Sequence, residues 1–277
     1  MTLSLTILGT GSPIPDPHRA GSAQLVRSDT TTVLVDAGRA VVMRLAASGV
    51  LPPMLDAVLL THLHSDHICA LNDVITTHWV MSGAPTELHV HGPVGTRAVV
   101  DGIMAMLGPD VGYRLAHHDD LTAPPDVIVH ELTDGDTLSV GDLTVSAHST
   151  EHRPVEPTLG YRIEHTDGTI ALAGDTVPCP GLDRICADAD VYVQTVIRDD
   201  LIATIPSARL RDVIDYHSTV AQAGETAARN RVRRLVFTHY VPGRFPGDDT
   251  AWTAPAAHHY DGPIDLADDL HRIELRA

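Results

Sequence analysis

The sequence has no lysine, and its positive charge comes from arginine alone. Nineteen basic residues face thirty-six acidic ones, which gives a formal net charge of −17 at pH 7. A field of this sign repels polyanions, so the composition disfavours non-specific binding of nucleic acid through a broad basic surface. Bound divalent cations would reverse the sign locally and could still attract a phosphate group.

Cysteine and aromatic residues are also scarce. The three cysteines, Cys69, Cys179 and Cys186, are odd in number and are not closely paired in sequence. This pattern argues against a disulfide framework and against a zinc site built from thiolates. Aromatic residues make up 4% of the chain and hydrophobic residues 43%. We therefore expect a proper core made mostly of Val, Leu, Ile and Ala.

The start of the sequence lacks the features of a targeting segment. Residues 2–8 alternate as in a β-strand and are not preceded by the basic region of a signal peptide. No apolar run is long enough to predict a transmembrane span. Together these absences predict a soluble, cytoplasmic protein.

Against this background, four potential metal ligands stand within six residues. His62, His64, Asp66 and His67 follow directly after the apolar run 57–60. Because so polar a stretch cannot continue a buried strand, the chain is expected to leave its sheet and turn there, which brings the donors together. Imidazole and carboxylate suit zinc, manganese or iron, whereas structural zinc sites usually recruit thiolates. The pattern predicts a catalytic metal site.

The same arrangement of strand and ligand occurs three times. His62, Asp175 and His239 each follow a Thr or Gly at the end of an apolar strand. Strands of a layered α/β fold that end in polar residues place those residues at one edge of the sheet, where sites form. We therefore expect the three side chains to lie close together.

The order of strand and helix patterns predicts an α/β fold. Two halves rich in strands each carry helices, and the pattern breaks near 133–143. We interpret the chain, residues 1–277, as one domain built from these halves. Helices are expected over 39–48, 68–80, 95–107 and 221–230, and hairpins over 23–35 and 159–173.

These motifs resemble the metallo-β-lactamase superfamily, whose HxHxDH motif is matched by residues 62–67. Within it, the segments 8–12, 152–163, 174–176, 217–219 and 238–239 resemble the ribonuclease Z branch, and the resemblance covers nearly the whole chain. It implies a four-layer αβ/βα sandwich of two mixed β-sheets flanked by helices, with two zinc ions at the sheet edges. Manganese or iron is also compatible with these ligands.

The resemblance also implies a role for each candidate ligand. The first metal would be bound by His62, His64 and His152, with His148 as the rival for the third position. The second metal would be bound by Asp66, His67 and His239, and Asp175 would bridge both ions.

Three further roles are predicted around this site. Asp66 is expected to orient the attacking water as well as to bind metal. His217 resembles the histidine of the family that protonates the leaving oxygen, although a helix-capping or surface histidine is the alternative. Asp36 could hold a metal-binding histidine, while an aspartate that caps a turn is the commoner case.

The function implied is a metal-dependent phosphodiester hydrolase of the ribonuclease Z type. Its substrate would be an RNA 3′ end or a small phosphodiester such as a cyclic nucleotide, and the family suggests a homodimer that has no membrane partner. Hydrolysis of an aryl sulfate, lactone or thioester is the alternative. The arm that grips transfer RNA in bacterial members normally follows the strand 160–163, where this chain has only residues 164–168. This departure weakens the expectation of efficient tRNA cleavage.

Two other patterns are given ordinary roles. His89 and His91 are spaced like ligands, but no carboxylate cluster lies near them in sequence, so surface positions on a strand are favoured. The only concentrated basic run, 229–234, is interpreted as a solvated helix end.

Overall fold

The computed structural model describes residues 2–276 and contains two seven-stranded mixed β-sheets. The first sheet has the strand order β14-β1-β2-β3-β4-β5-β6. Its strands are β1 (Leu3–Gly9), β2 (Ala23–Arg27), β3 (Thr32–Val35), β4 (Ala57–Leu59), β5 (Glu87–Pro93), β6 (Asp126–Leu132) and β14 (His271–Leu275). Neighbours from β14 to β3 are antiparallel, and those from β3 to β6 are parallel.

The second sheet repeats this plan. Its order is β13-β12-β11-β10-β9-β8-β7. The strands are β7 (Thr137–Val140), β8 (Leu143–Ser149), β9 (Leu159–His165), β10 (Gly168–Leu172), β11 (Val191–Ile197), β12 (Leu235–Val241) and β13 (Ile264–Leu266). Neighbours from β7 to β10 are antiparallel, and those from β10 to β13 are parallel. The chain passes from one sheet to the other at 133–136, within the predicted break.

Nine α-helices accompany the sheets in residues 2–276. They are α1 (Val41–Ala47), α2 (Ser65–Ile68), α3 (Leu71–Met81), α4 (Thr96–His117), α5 (Pro180–Cys186), α6 (Asp199–Ile202), α7 (Ala208–Arg211), α8 (Val220–Arg229) and α9 (Asp249–Ala257). Within this part of the chain, none of them is long and apolar enough to cross a membrane.

Three apolar clusters fix the order of the layers. The largest joins the facing sides of the two sheets, with fully buried residues such as Leu5 and Tyr161. A second packs α1, α3 and α4 on the outer face of the first sheet, and a third packs α5, α8 and α9 on the outer face of the second. Burial of aliphatic surface on both faces of each sheet stabilises this arrangement. The predicted four-layer αβ/βα sandwich is confirmed.

Two predicted helices differ from those observed. The helix expected over 68–80 begins earlier than predicted, as α2, and is interrupted before α3. Asp66 and His67 therefore lie inside a helical turn. The helix expected to end near 107 continues to His117 through Pro109. Proline removes the hydrogen bond to the carbonyl four residues earlier. That residue, Ala105, is exposed, so water can satisfy its carbonyl and the helix continues.

Candidate metal centre

The candidate ligands come from the ends of strands in both sheets. His62 and His64 follow β4, and Asp66 and His67 lie on α2 directly behind them. Asp175 follows β10 in the second sheet. This agrees with the expectation that polar residues at strand ends meet at one edge.

His239 is positioned by an irregularity within a strand. We predicted that it follows its strand, but it lies inside β12, where it has a φ of 50°. The pairing of β11 with β12 shifts register between Thr195 and Ile197, beside this residue. Such bulges redirect a side chain. The distortion turns the imidazole of His239 toward Asp66.

Gly174 allows the two sheets to approach each other closely at this edge. Its φ is 64°, and a Cβ atom on it would lie 2.8 Å from Cβ of Thr61. A residue with a side chain would therefore be strained and would push away the start of the histidine segment. The glycine brings Asp175 to the four ligands of the first sheet.

Four side chains form the first group. His62, His64, His152 and Asp175 each offer one ligand atom, and these atoms all lie within 4.8 Å of one another. Nε2 of His62 is 3.1 Å from Nδ1 of His64, which is 3.2 Å from Nε2 of His152. His64 is the member that is only partly buried, so solvent reaches the centre on its side.

The second group consists of Asp66, His67 and His239, all buried. Oδ2 of Asp66 is 3.0 Å from Nε2 of His239 and 3.5 Å from Nε2 of His67. Oδ2 of Asp175 lies 3.4 Å from His67 and 3.6 Å from His239, and 3.9 Å from both His62 and His152. One carboxylate oxygen therefore stands between the two groups.

Buried atoms without partners show that the groups fit divalent cations. Within residues 2–276, Nε2 of His67, Oδ1 of Asp175 and Nδ1 of His239 are buried and accept or donate no hydrogen bond. Leaving such atoms unsatisfied costs free energy, so each needs an explanation. A cation bound by Nε2 of His67 would satisfy that atom.

The electrostatics of His62, His152 and the two carboxylates favour the protonation states of ligands, whereas at His67 and His239 the neighbouring carboxylates, Asp175 foremost, outweigh burial and raise the imidazole pKa. Burial lowers the pKa of His62 well below its usual value, and it lowers the pKa of His152 to about 4, so both imidazoles keep a free lone pair. Burial alone would raise the pKa of Asp66 and Asp175. The neighbouring histidines, His239 foremost, outweigh burial and hold both carboxyl pKa values low.

Asp36 contacts this cluster through two residues. Its Oδ2 is 2.7 Å from Nδ1 of His67, and it accepts hydrogen bonds from the backbone N–H and the hydroxyl of Thr61. The Thr61 hydroxyl is also 3.0 Å from Nδ1 of His62. Sequence reasoning singled out Asp36 but missed Thr61, whose only signal is its place directly before the first ligand.

His148 and His152, the two candidates for the third ligand of the first metal, have different surroundings. Nδ1 of His152 donates to the carbonyl of Tyr216 at 2.8 Å, which directs Nε2 into the first group. His148 instead accepts from Arg184 and lies 3.6 Å from Asp134. The hydrogen bond of His152 goes to the backbone carbonyl of Tyr216, which any residue could supply, so no sequence signal could have found it.

His217 lies beside the cluster and is oriented by the preceding turn. Its Nδ1 donates to the carbonyl of Val213 at 3.1 Å, and its Nε2 is 3.3 Å from Oδ2 of Asp175. The side chain is buried, and Thr219 caps α8 two residues later. The predicted alternative of a helix-capping histidine does not describe this geometry, because the cap is Thr219.

Comparison with known proteins places this site in a family. The Beta-lactamase superfamily domain matches residues 31–240. A protein named Ribonuclease Z from Mycolicibacterium gilvum (strain PYR-GCK) is 51% identical over 275 residues, covering 99% of this chain and 96% of its own length. The chain belongs to the ribonuclease Z family of the beta-lactamase superfamily.

Solved structures similar to this ribonuclease Z family member share its fold. A metallo-beta-lactamase fold protein from Bacillus subtilis has a TM-score of 0.78 at 20% identity, with 99% of each chain covered. The short form of human tRNase Z has a TM-score of 0.71 at 23% identity, with 99% of this chain and 100% of that chain covered. Both confirm the αβ/βα sandwich.

Proposed function

We propose that this protein is a metal-dependent phosphodiester hydrolase that cleaves RNA at the 3′ end of tRNA precursors. One observation carries the proposal: Oδ2 of Asp175 lies within 3.9 Å of a ligand nitrogen from each of the two groups. Two cations that share one carboxylate are typical of enzymes that cleave phosphodiesters. The name of the relative at 51% identity supports RNA as the substrate.

We further propose how the metal ions are bound. His62, His64 and His152 would hold one ion, Asp66, His67 and His239 the other, and Asp175 would bridge them. Zinc fits these nitrogen and oxygen donors, and manganese or iron fits them as well. When bound, the pair supplies a water of lowered pKa and positive charge for the phosphate.

The side chains around the ions would move the protons. Asp66, which His239 helps to hold ionised, accepts the proton of the attacking water and orients that water. His217 donates the proton on Nε2 to the leaving oxygen, and its Nδ1 is fixed by Val213. The carbonyl of Tyr216 and the carboxylate of Asp36 hold the imidazoles of His152 and His67 in their orientations.

The short link between β9 and β10 does not oppose this function. The strands pair directly as a hairpin from Gly168 and His165 onward, so the arm is absent at this place, as predicted. The relative named Ribonuclease Z aligns over 96% of its own length, so that name belongs to a chain of nearly the same size. Because this relative is named for the cleavage of RNA, hydrolysis of a sulfate, lactone or thioester is not favoured.

The basic run 229–234 is not a free RNA-binding patch. Its four arginines are each paired with an aspartate, and the pairs are Arg229–Asp183, Arg231–Asp188, Arg233–Asp190 and Arg234–Asp265. The interpretation as a solvated helix end agrees with the structure, because α8 ends at Arg229 and the side chains of Arg231 and Arg233 are 72% and 80% exposed. The phosphates of RNA would therefore be attracted more by the positive charge of bound metal ions than by this run of arginines.

One assay tests the function. Metal-loaded protein is given a tRNA precursor with a 3′ trailer, a cyclic nucleotide and an aryl sulfate in parallel, with Asp175→Asn as the inactive control. We expect cleavage of the precursor at its 3′ side to be fastest. Faster hydrolysis of the aryl sulfate, or precursor cleavage that survives in the control, would contradict the proposal.

The single domain, the homodimer and the cytoplasmic location stay predictions.

A further inference from the structure

Three histidines stand side by side on the first sheet, away from the metal centre. His89 and His91 lie on β5 and His130 on β6, and the register pairs His91 directly with His130. The ring centroids of His91 and His130 are 4.5 Å apart, and those of His89 and His130 are 5.5 Å apart. The sequence predicted surface positions on a strand for the first two, which is wrong for the buried His91, and gave no sign of the third.

Two of these rings bring a pair of nitrogens together in a hydrogen bond. Nδ1 of His89 is 3.2 Å from Nε2 of His130. In the candidate metal centre, the nitrogens of His62 and His64 are 3.1 Å apart, and those of His64 and His152 are 3.2 Å apart. Two nitrogens bound to one tetrahedral zinc at about 2.0–2.1 Å stand roughly 3.3 Å apart. The observed separation suits two ligands of one ion.

The third ring carries an unsatisfied nitrogen. His91 is 8% exposed, and within residues 2–276 its buried Nδ1 has no hydrogen-bond partner. Burial, followed by the neighbouring His130 and His89, lowers the pKa of His91 to about 4. The imidazole is therefore neutral at pH 7 and offers a lone pair. An unpaired buried nitrogen is costly unless something binds it.

A carboxylate also lies beside these histidines. Oε2 of Glu87 is 3.4 Å from Nε2 of His89, on the ring edge opposite the nitrogen that faces His130. Histidines that bind metal commonly donate their other N–H to a carboxylate, which fixes the tautomer. With Nε2 protonated toward Glu87, Nδ1 of His89 carries the lone pair, which faces His130 and is available to a metal ion in place of that hydrogen bond.

We propose that His89, His91 and His130 form a second metal site that takes one divalent transition ion with a preference for imidazole, such as zinc, copper or nickel. His89 and His130 bind the ion from their present positions, and His91 turns its ring to bring a nitrogen to it. Because His91 is neutral at pH 7, binding releases no proton from it. The site is independent of the proposed function, since no cleavage step involves it.

Zinc titration tests the site. Protein whose metal centre is already loaded is titrated with Zn²⁺ by calorimetry at pH 7.5, and the half-buried His89 and the exposed His130 are changed in the double variant His89→Gln/His130→Gln. We expect the wild type to bind one further equivalent that the variant does not bind. The matched control is His117→Gln/His118→Gln, because these adjacent histidines are exposed and lie at the end of α4. It should bind zinc as the wild type does.

A chemical measurement on the unmodified protein gives a second test. Added Zn²⁺ should protect His89 and His130 from carbethoxylation by diethyl pyrocarbonate, read residue by residue by mass spectrometry, while His118 stays reactive. Equal zinc stoichiometry in wild type and the double variant would overturn the proposal. So would equal modification of His130 with and without zinc.

Discussion

The carboxylate of Asp36, which follows the neighbouring strand β3, contacts His67, with Oδ2 lying 2.7 Å from Nδ1. The same carboxylate accepts two hydrogen bonds from Thr61, which precedes the first ligand. Asp36 has a φ of 60°, a conformation that aspartate tolerates better than most residues. One buried side chain thus orients the histidine segment at both of its ends.

Replacing Asp36 should weaken metal binding without removing any ligand. In Asp36→Asn the partner of His67 loses its charge, and we expect metal affinity to fall about 10- to 100-fold. Competition with a chelator measures the affinity. Thr61→Val is the milder companion, since it removes only the hydroxyl that links Asp36 to His62. Unchanged affinity in Asp36→Asn would show that the contact only stabilises the turn.

Loss of the shared carboxylate should affect both ions. Because Oδ2 of Asp175 stands between the two groups, we expect Asp175→Asn to lower the bound metal content from about two ions per chain. Elemental analysis of the purified protein measures the content. The control is Asp73→Asn, because Asp73 is exposed on α3. Full occupancy in Asp175→Asn would contradict the bridging role.

His217 should matter most for substrates with a poor leaving group. A general acid contributes about 10²- to 10⁴-fold in rate, so His217→Gln should slow RNA cleavage to that extent. Bis(p-nitrophenyl) phosphate, whose leaving group needs little protonation, should lose less. Metal content is measured alongside, because His217 also lies near Asp175 and His239. A variant that loses metal would identify His217 as a ligand instead of an acid.

At the other end of the sandwich, Asp142 should make stability depend on acid pH. It accepts hydrogen bonds of 2.6 Å from the hydroxyls of both Ser28 and Thr31, between β2 and β3. Although burial opposes ionisation, these bonds lower the pKa of Asp142 from 3.8 to about 2. A depressed folded-state pKa stabilises the fold above pH about 3.8, and this contribution disappears as the pH falls toward 2.

Thermal unfolding of Asp142→Asn tests this dependence. We expect a lower melting temperature than the wild type at pH 5 and a smaller difference at pH 2.5. Asp101→Asn is the control, since Asp101 is exposed on α4. A constant difference between wild type and Asp142→Asn at both pH values would contradict the assignment.

The ligand segment was predictable because its information is local. His62, His64, Asp66 and His67 are close in sequence, and the apolar strand before them places them at an edge. His239 was found for the same reason, although its strand continues past it by way of a bulge. A bulge depends on the pairing of β11 with β12, which a single sequence does not reveal.

Apart from the ligands at strand ends, contacts between distant segments could not be predicted. Nothing near His89 in sequence indicates that His130 will lie beside it, because β5 and β6 are joined by a long helix. That helix passes through Pro109 because its outer face is in water, which local propensity does not capture. The neutralisation of the basic run likewise depends on aspartates from other segments, such as Asp183 and Asp265.

The division of the ligands between two sheets has a mechanical consequence. His62, His64, Asp66 and His67 belong to the first half of the chain, while His152, Asp175 and His239 belong to the second. Ions bound there would cross-link the two sheets at one rim. At the far rim, where β3 begins, the hydrogen bonds of Asp142 join the same layers without metal. We therefore expect a chelator to weaken the contact between the sheets at one rim and acid to weaken it at the other.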